Sequence, residues 1–188
     1  MYTIENEFLR IGVLQKGAEL HSMVDKQTGF EWIWQADEHF WGKSSPVLFP
    51  IVGALKNNKF ILDGCSYELP RHGFARDHDF QLLAYSTNKI MLELVSDKKL
   101  KGNYPFEFSL SMTYELIDHK LEVSFRVHNW GTEQMYFSLG AHPAFNLPNN
   151  RGSLEGNYIE FPKDKILNRY YLRNSLLSAD FTKVELDL

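Results

Sequence analysis

Cysteine is nearly absent: Cys65 is the single one in 188 residues. That excludes an intramolecular disulfide and any zinc site built on several thiolates. Positive charge is also in short supply, since 20 Lys and Arg stand against 24 Asp and Glu, a net charge of −4. A phosphate-binding surface needs a basic excess, so nucleic acid is not an expected partner. No apolar run approaches the roughly 18 residues of a membrane span. The opening residues, Met1-Tyr2-Thr3-Ile4-Glu5-Asn6-Glu7, have neither the basic nor the apolar region of a secretion signal. The expectation is a soluble chain in a reducing, cytoplasmic setting with no membrane partner. Gly-x-Ser-x-Gly, P-loop, Gly-x-Gly-x-x-Gly and His-Glu-x-x-His motifs are missing as well. Hydrolase, kinase, dehydrogenase and zincin readings lose their support, and no cofactor is expected.

What the chain has in quantity is rings: 14 Phe, 9 Tyr and 4 Trp. Aromatic and β-branched residues favour pleated, half-buried surfaces. Period-two alternation dominates. Phe106, Phe108, Leu110, Met112, Tyr114 and Leu116 alternate with Glu107, Ser109, Ser111, Thr113 and Glu115. After Asp118-His119 the pattern resumes as Leu121, Val123, Phe125 and Val127. This predicts a long antiparallel hairpin with one buried and one wet face. Lys59–Leu62 and Cys65–Glu68 flank Asp63-Gly64, a pair suited to the positive φ angles of a type I′ turn. Further strands are expected at Tyr2–Glu5, Leu9–Leu14, Ala18–Val24, Phe30–Trp34, Gln81–Tyr85, Lys89–Val95, Met135–Leu139, Tyr158–Phe161 and Thr182–Leu188. Short helical turns are expected near Asp97–Leu100 or Asn174–Asp180. Many short strands at regular spacing read as one all-β domain over residues 1–188, a large antiparallel β-sandwich.

Two segments break the alternation, and long non-strand connections often bind ligands. One is Gly42–Lys56, the other Leu139–Arg151. Chemistry-bearing residues cluster in the second and in Pro70–Arg76. In the latter, His72 and Gly73 precede Arg76, whose guanidinium suits hydroxyls, carboxylates or phosphates. His142 lies in Gly140-Ala141-His142-Pro143-Ala144-Phe145-Asn146, and an imidazole as a residue type can give or take a proton. Phe145 and Asn146 add a stacking face and an amide. A capped turn at His72 and a core histidine at His142 are the plainer alternatives. His78 lies between Asp77 and Asp79, but the spacing fits no standard metal site, and Arg76–Asp79 reads as a charged strand entry. His119 and His128 are assigned to a turn and a polar face. Trp32 and Trp34 share a strand face and are expected in the core.

Leu48-Phe49-Pro50-Ile51-Val52-Gly53, Asn58-Lys59-Phe60 with Asp63-Gly64, His72-Gly73-Phe74-Ala75-Arg76 and His142-Pro143-Ala144-Phe145-Asn146-Leu147 occur in that order. In these pieces the chain resembles the aldose 1-epimerase (galactose mutarotase-like) family, and looks nearest to its LacX-like branch. The resemblance implies a large β-sandwich that interconverts the α and β anomers of aldoses. It makes His142 the acid and His72 the residue that binds and polarises the sugar. Arg71, Phe74, Arg76, Phe145 and Asn146 would be the substrate-binding residues, with no metal. Ala54 stands where mutarotases proper carry an arginine. The family's catalytic glutamate is expected downstream of Leu188, since Glu155, Glu160 and Glu185 match no motif. The chain then corresponds to the N-terminal portion of the sandwich, with self-association through exposed sheet edges. A hexose-6-phosphate epimerase and a non-catalytic carbohydrate-binding module are the alternatives.

Overall fold

The computed structural model describes residues 1–148, 156–161, 166–174 and 176–185. Strands β1 (Tyr2–Glu5), β2 (Leu9–Val13) and β3 (Leu20–Asp25) form a three-stranded antiparallel sheet in that order. A second antiparallel sheet contains β7 (Gln81–Tyr85), β8 (Lys89–Val95), β9 (Phe108–Ile117) and β10 (Lys120–Asn129), with β10 and β7 at its edges. Between them in sequence come β4 (Val47–Leu48), β5 (Lys59–Leu62) and β6 (Cys65–Glu68). Helix α1 (Lys98–Asn103) is a single short helix, capped by the Asp97 carboxylate on the Leu100 N–H. The remaining strands are β11 (Gly140–Ala141), paired with β4, and the hairpin of β12 (Ile166–Arg173) with β13 (Leu176–Glu185).

One hydrophobic core joins the two main sheets: Ile4, Ile11 and Val13 from the first, Ile90, Leu92, Leu110, Met112 and Tyr114 from the second. The Tyr114 hydroxyl donates to the Ala18 carbonyl across the layers at 2.7 Å. Burial pushes the Tyr114 phenol well above its usual range, and the nearby Glu19 carboxylate adds to this. A second focus is aromatic: Phe49, Phe74, Tyr104 and Phe108 meet edge-on or tilted at 5.3–6.3 Å.

The Asp63-Gly64 hairpin has the expected register, Leu62 opposite Cys65, with φ of 48° and 79° at the two turn residues. The long β9–β10 hairpin pairs Ile117 with Lys120 around Asp118-His119. Its faces are less simple than alternation predicts. On β9 the apolar side is buried, but Ser109 and Ser111 of the nominally wet side are buried too. Ser111 meets this by donating to Glu93 on β8 at 2.9 Å. On β10 the apolar side is only half covered, and Val123 is 39% exposed.

Several expectations are corrected. Residues 30–34 form no regular strand: they make single bridges, Val24 to Glu31 and Ile33 to Phe145. The Glu31 carboxylate accepts the Met23 and Ile33 N–H groups, which competes with a continuous ladder. As a result Ile33 enters the core, while Trp32 and Trp34 stay partly exposed. Residues 135–139 and 158–161 are also irregular. Arg76 is not a strand entry. It lies in a 3-10 turn, Ala75–Asp77, closed by His78 Nδ1 against the Phe74 carbonyl. The helical turn expected at 174–180 is instead a hairpin end. Asn174 adopts φ 51°, and Tyr170 pairs with Phe181 at 5.4 Å across the strands. Residues 149–151 of the second irregular segment, Glu155, and the final three residues of the strand expected at 182–188 lie outside the described residues. No helix among the described residues is long and apolar enough to cross a membrane.

Candidate functional site

Residues 44–53 form a backbone spine on which both histidine segments hang. On one side, residues 140–144 run antiparallel to 44–48. Gly140 pairs with Leu48 and Ala141 with Val47, the His142 N–H donates to the Pro46 carbonyl at 3.2 Å, and that of Ala144 to Ser44 at 2.9 Å. On the other side, Gly73 bridges Phe49 in parallel, and the Phe74 and Ala75 N–H groups both donate to the Phe49 carbonyl at 3.0 and 3.2 Å. Gly73 sits at φ 70°, and a Cβ there would stand 2.2 Å from the Phe49 oxygen. Only glycine allows the two backbones to approach this closely.

His72 is held by a reciprocal pair with Gly53. Its N–H donates to the Gly53 carbonyl at 2.7 Å, and the Gly53 N–H donates back to His72 Nδ1 at 3.0 Å. This pair sustains φ 68° at His72, a left-handed conformation rare for a residue with a Cβ. It also sets the tautomer. Because Nδ1 accepts, the ring proton resides on Nε2, which is then a donor.

The rings of His72 and His142 lie 6.3 Å apart, edge to face. The Trp41 ring lies 5.0 Å from that of His142, tilted by 44°. Arg76 completes this corner: its Nη2 donates to the Arg71 carbonyl at 2.9 Å, and its Nε is 3.6 Å from the Asp77 carboxylate. Burial lowers the pKa of His72 below the ordinary 6.5, and the positive charges of Arg76 and Arg71, then His142, push the same way. An NMR titration is therefore expected to show the His72 imidazole with a midpoint below 6.5, and a midpoint at or above that value would refute the assignment. For stability, the unfolded ring takes up its proton first. The contribution of His72 is thus present above pH 6.5 and is lost as pH falls from there through the folded midpoint.

Of the residues expected in the site, His72, His142, Arg71 and Arg76 come together. The other three go elsewhere. The Phe74 ring is buried against Phe49 and Phe108. Both amide protons of Asn146 are used on the Glu31 and Ile33 carbonyls, at 2.9 and 2.8 Å. Phe145 lines a groove of about 470 Å³ with Trp32, Ala141, Pro143 and Phe125, which does not include His142. The reason is extended-chain parity: residues 141, 143 and 145 face one way and 142 the other. Trp41 was not expected here. Its only local signal is that it directly precedes the irregular Gly42–Lys56 segment. No group of three or more His, Cys, Asp or Glu that could hold a metal occurs among the described residues.

Comparison with known proteins agrees with this architecture. The aldose 1-epimerase family model matches residues 1–174. The plasmid-encoded protein LacX of Lactococcus lactis is 35% identical over 167 residues, covering 84% of this chain and 55% of LacX. A galactose mutarotase-related enzyme from Lactobacillus acidophilus superposes with a TM-score of 0.84 at 33% identity, over 99% of this chain and 65% of that one. A galactose mutarotase-like protein from Lactobacillus casei gives 0.83 at 30% identity, over 99% and 67%. The chain thus spans about half the length of LacX and about two thirds of these structures. By its sequence, its antiparallel β-sandwich and these matches, the chain belongs to the aldose 1-epimerase family.

Proposed function

We propose that the corner formed by His72, Arg71, Arg76 and His142 binds a hexose and contributes the acid side of anomer interconversion. The observation that carries this is the approach of the two imidazoles to 6.3 Å from segments far apart in sequence. Ring opening requires a proton on the ring oxygen and removal of the anomeric hydroxyl proton. His142 is the acid. It is exposed and anchored through its backbone N–H rather than its ring. His72 donates from Nε2 to a sugar hydroxyl, and its depressed pKa keeps it a neutral donor near pH 7. Trp41 offers an apolar wall beside His142.

One observation favours a second reading. The positive charges of Arg76 and Arg71 both reach His72. Guanidinium groups at this corner would suit the anionic group of a hexose 6-phosphate, with the Asp77 carboxylate 3.6 Å from Arg76 Nε opposing it.

The test is a titration of the imidazole resonances with galactose, glucose and glucose 6-phosphate. Shifts of both His72 and His142 that saturate with neutral hexose support the first reading. Saturation confined to the phosphate supports the second. Binding of sugar without any acceleration of mutarotation would mean a carbohydrate-binding module, and no shift at millimolar sugar would end the proposal. The half-covered apolar face of β10 is proposed to drive self-association, and light scattering on the same sample checks it.

A further inference from the structure

Glu19 is a carboxylate only 4% exposed, in the turn that enters β3, and the chemistry above does not use it. Its contacts lead to both halves of the site. One oxygen, Oε1, accepts the N–H groups of Ser44 and Ser45 at 2.6 and 3.0 Å. Those residues begin the spine on which the His142 segment hangs. The carbonyls of Ser44 and Pro46 receive the N–H groups of Ala144 and His142. The other oxygen, Oε2, lies 3.9 Å from Lys43 Nζ, which in turn lies 3.5 Å from Asp77. Asp77 is the acidic neighbour of Arg76. The Glu19 turn also packs beneath the 75–78 turn. Gly17 donates to the His78 carbonyl at 2.7 Å, and a Cβ on Gly17 would meet the Arg76 carbonyl at 2.8 Å.

A buried carboxylate is retained only where its oxygens are satisfied. Here two backbone donors converge on one oxygen and a cation faces the other. We propose that Glu19 is a positioning residue that sets the separation of the two halves of the sugar corner: one arm runs through Ser44–Pro46 to His142, the other through Lys43 and Asp77 to Arg76. The inference rests on the sugar-binding reading for its functional meaning, but its geometric content stands by itself.

The arms make different demands. The first needs only an acceptor, so Glu19→Gln keeps it. The second needs a negative charge, so Glu19→Gln loses it. Glu19→Ala loses both. The experiment reads the His142 imidazole resonances and the cross-relaxation between His72 and His142, together with hexose affinity. Glu19→Ala is expected to displace the His142 resonances, weaken the cross-relaxation and lower affinity about tenfold, the equivalent of one backbone hydrogen bond to a charged group. Glu19→Gln is expected to restore the His142 resonances. Tyr114→Phe removes the adjacent bond to Ala18 and serves as the control for lost stability alone, with the His142 resonances unmoved. Should Glu19→Ala fail to fold, Glu19→Asp, which withdraws the oxygens by one methylene, takes its place with the same expectation. A folded Glu19→Ala or Glu19→Asp with unchanged His142 signals overturns the proposal. So does a Tyr114→Phe protein that moves them equally. Failure of the wild-type chain to bind hexose overturns the functional reading instead, and leaves the resonance comparison as the test of positioning.

Discussion

Gly73→Ala is expected to lose about 3 kcal/mol of folding stability. A left-handed conformation costs a residue with a Cβ roughly 1 kcal/mol or a little more. The larger part comes from the contact. The new Cβ would stand 2.2 Å from the Phe49 oxygen and 2.6 Å from the Pro50 nitrogen, and both are backbone atoms with no rotamer to give way. Residues 49 and 73 must separate, which breaks the two bonds from Phe74 and Ala75 to the Phe49 carbonyl. At about 1 kcal/mol each, these supply the rest. In a chain of this size the sum corresponds to a fall in melting temperature of roughly 6–12 °C. Gly53→Ala is the matched comparison. It has φ 84° but no heavy atom within 4 Å of its Cβ position, so only the conformational part applies. Thermal denaturation of the two variants decides the matter: equal melting temperatures would show that the Phe49–Gly73 contact is not tight. Hexose binding should also fall in Gly73→Ala, because His72 moves with its neighbour.

The second large effect concerns His142→Ala. Its ring is exposed, with the Trp41 and His72 rings 5.0 and 6.3 Å away, so stability should change by no more than about 0.5 kcal/mol. The rate should respond very differently. A positioned general acid or base is typically worth about 10²–10⁴-fold. Any protein-dependent mutarotation of freshly dissolved α-D-glucose or α-D-galactose should therefore drop by that factor, to the spontaneous rate. A variant as fast as wild type would show that the acid lies elsewhere. A robustly active wild-type chain would show that a carboxylate within residues 1–188 is the base.

Local chemistry explains which parts of this molecule are legible in its sequence. The Asp63-Gly64 turn carries its own dihedral requirement, and the β8 and β9 strands alternate because one side meets the core. Such signals need no knowledge of distant residues. The segment around Trp32 misled because a single side chain, Glu31, captures two backbone N–H groups that a ladder would otherwise use. The β12–β13 hairpin departs from the expected helical turn because Asn174 and the leucines beside it also suit a short helix. Contacts across the strands, Tyr170 with Phe181 and Arg173 with Asp180 among them, favour the hairpin. The same division holds at the site. His72 and His142 stand out because they interrupt alternation. Their mutual distance, the loss of Phe145 to the opposite face and the reach of Glu19 depend on the spine at 44–53, and that spine is a tertiary object with no local signature.

That spine has a consequence for the order of folding. It carries one histidine segment through contacts with residues just downstream and the other through contacts near the far end of the described core. The β5–β6 and β9–β10 hairpins can form by closing two-residue loops, whereas the proposed sugar corner exists only after the long loop between Leu48 and Gly140 has closed. In a refolding experiment, recovery of ligand binding would follow the slowest step that assembles the sandwich. Binding would then report on the whole topology, and a chain with its hairpins intact would not bind until both histidine segments had docked on the spine.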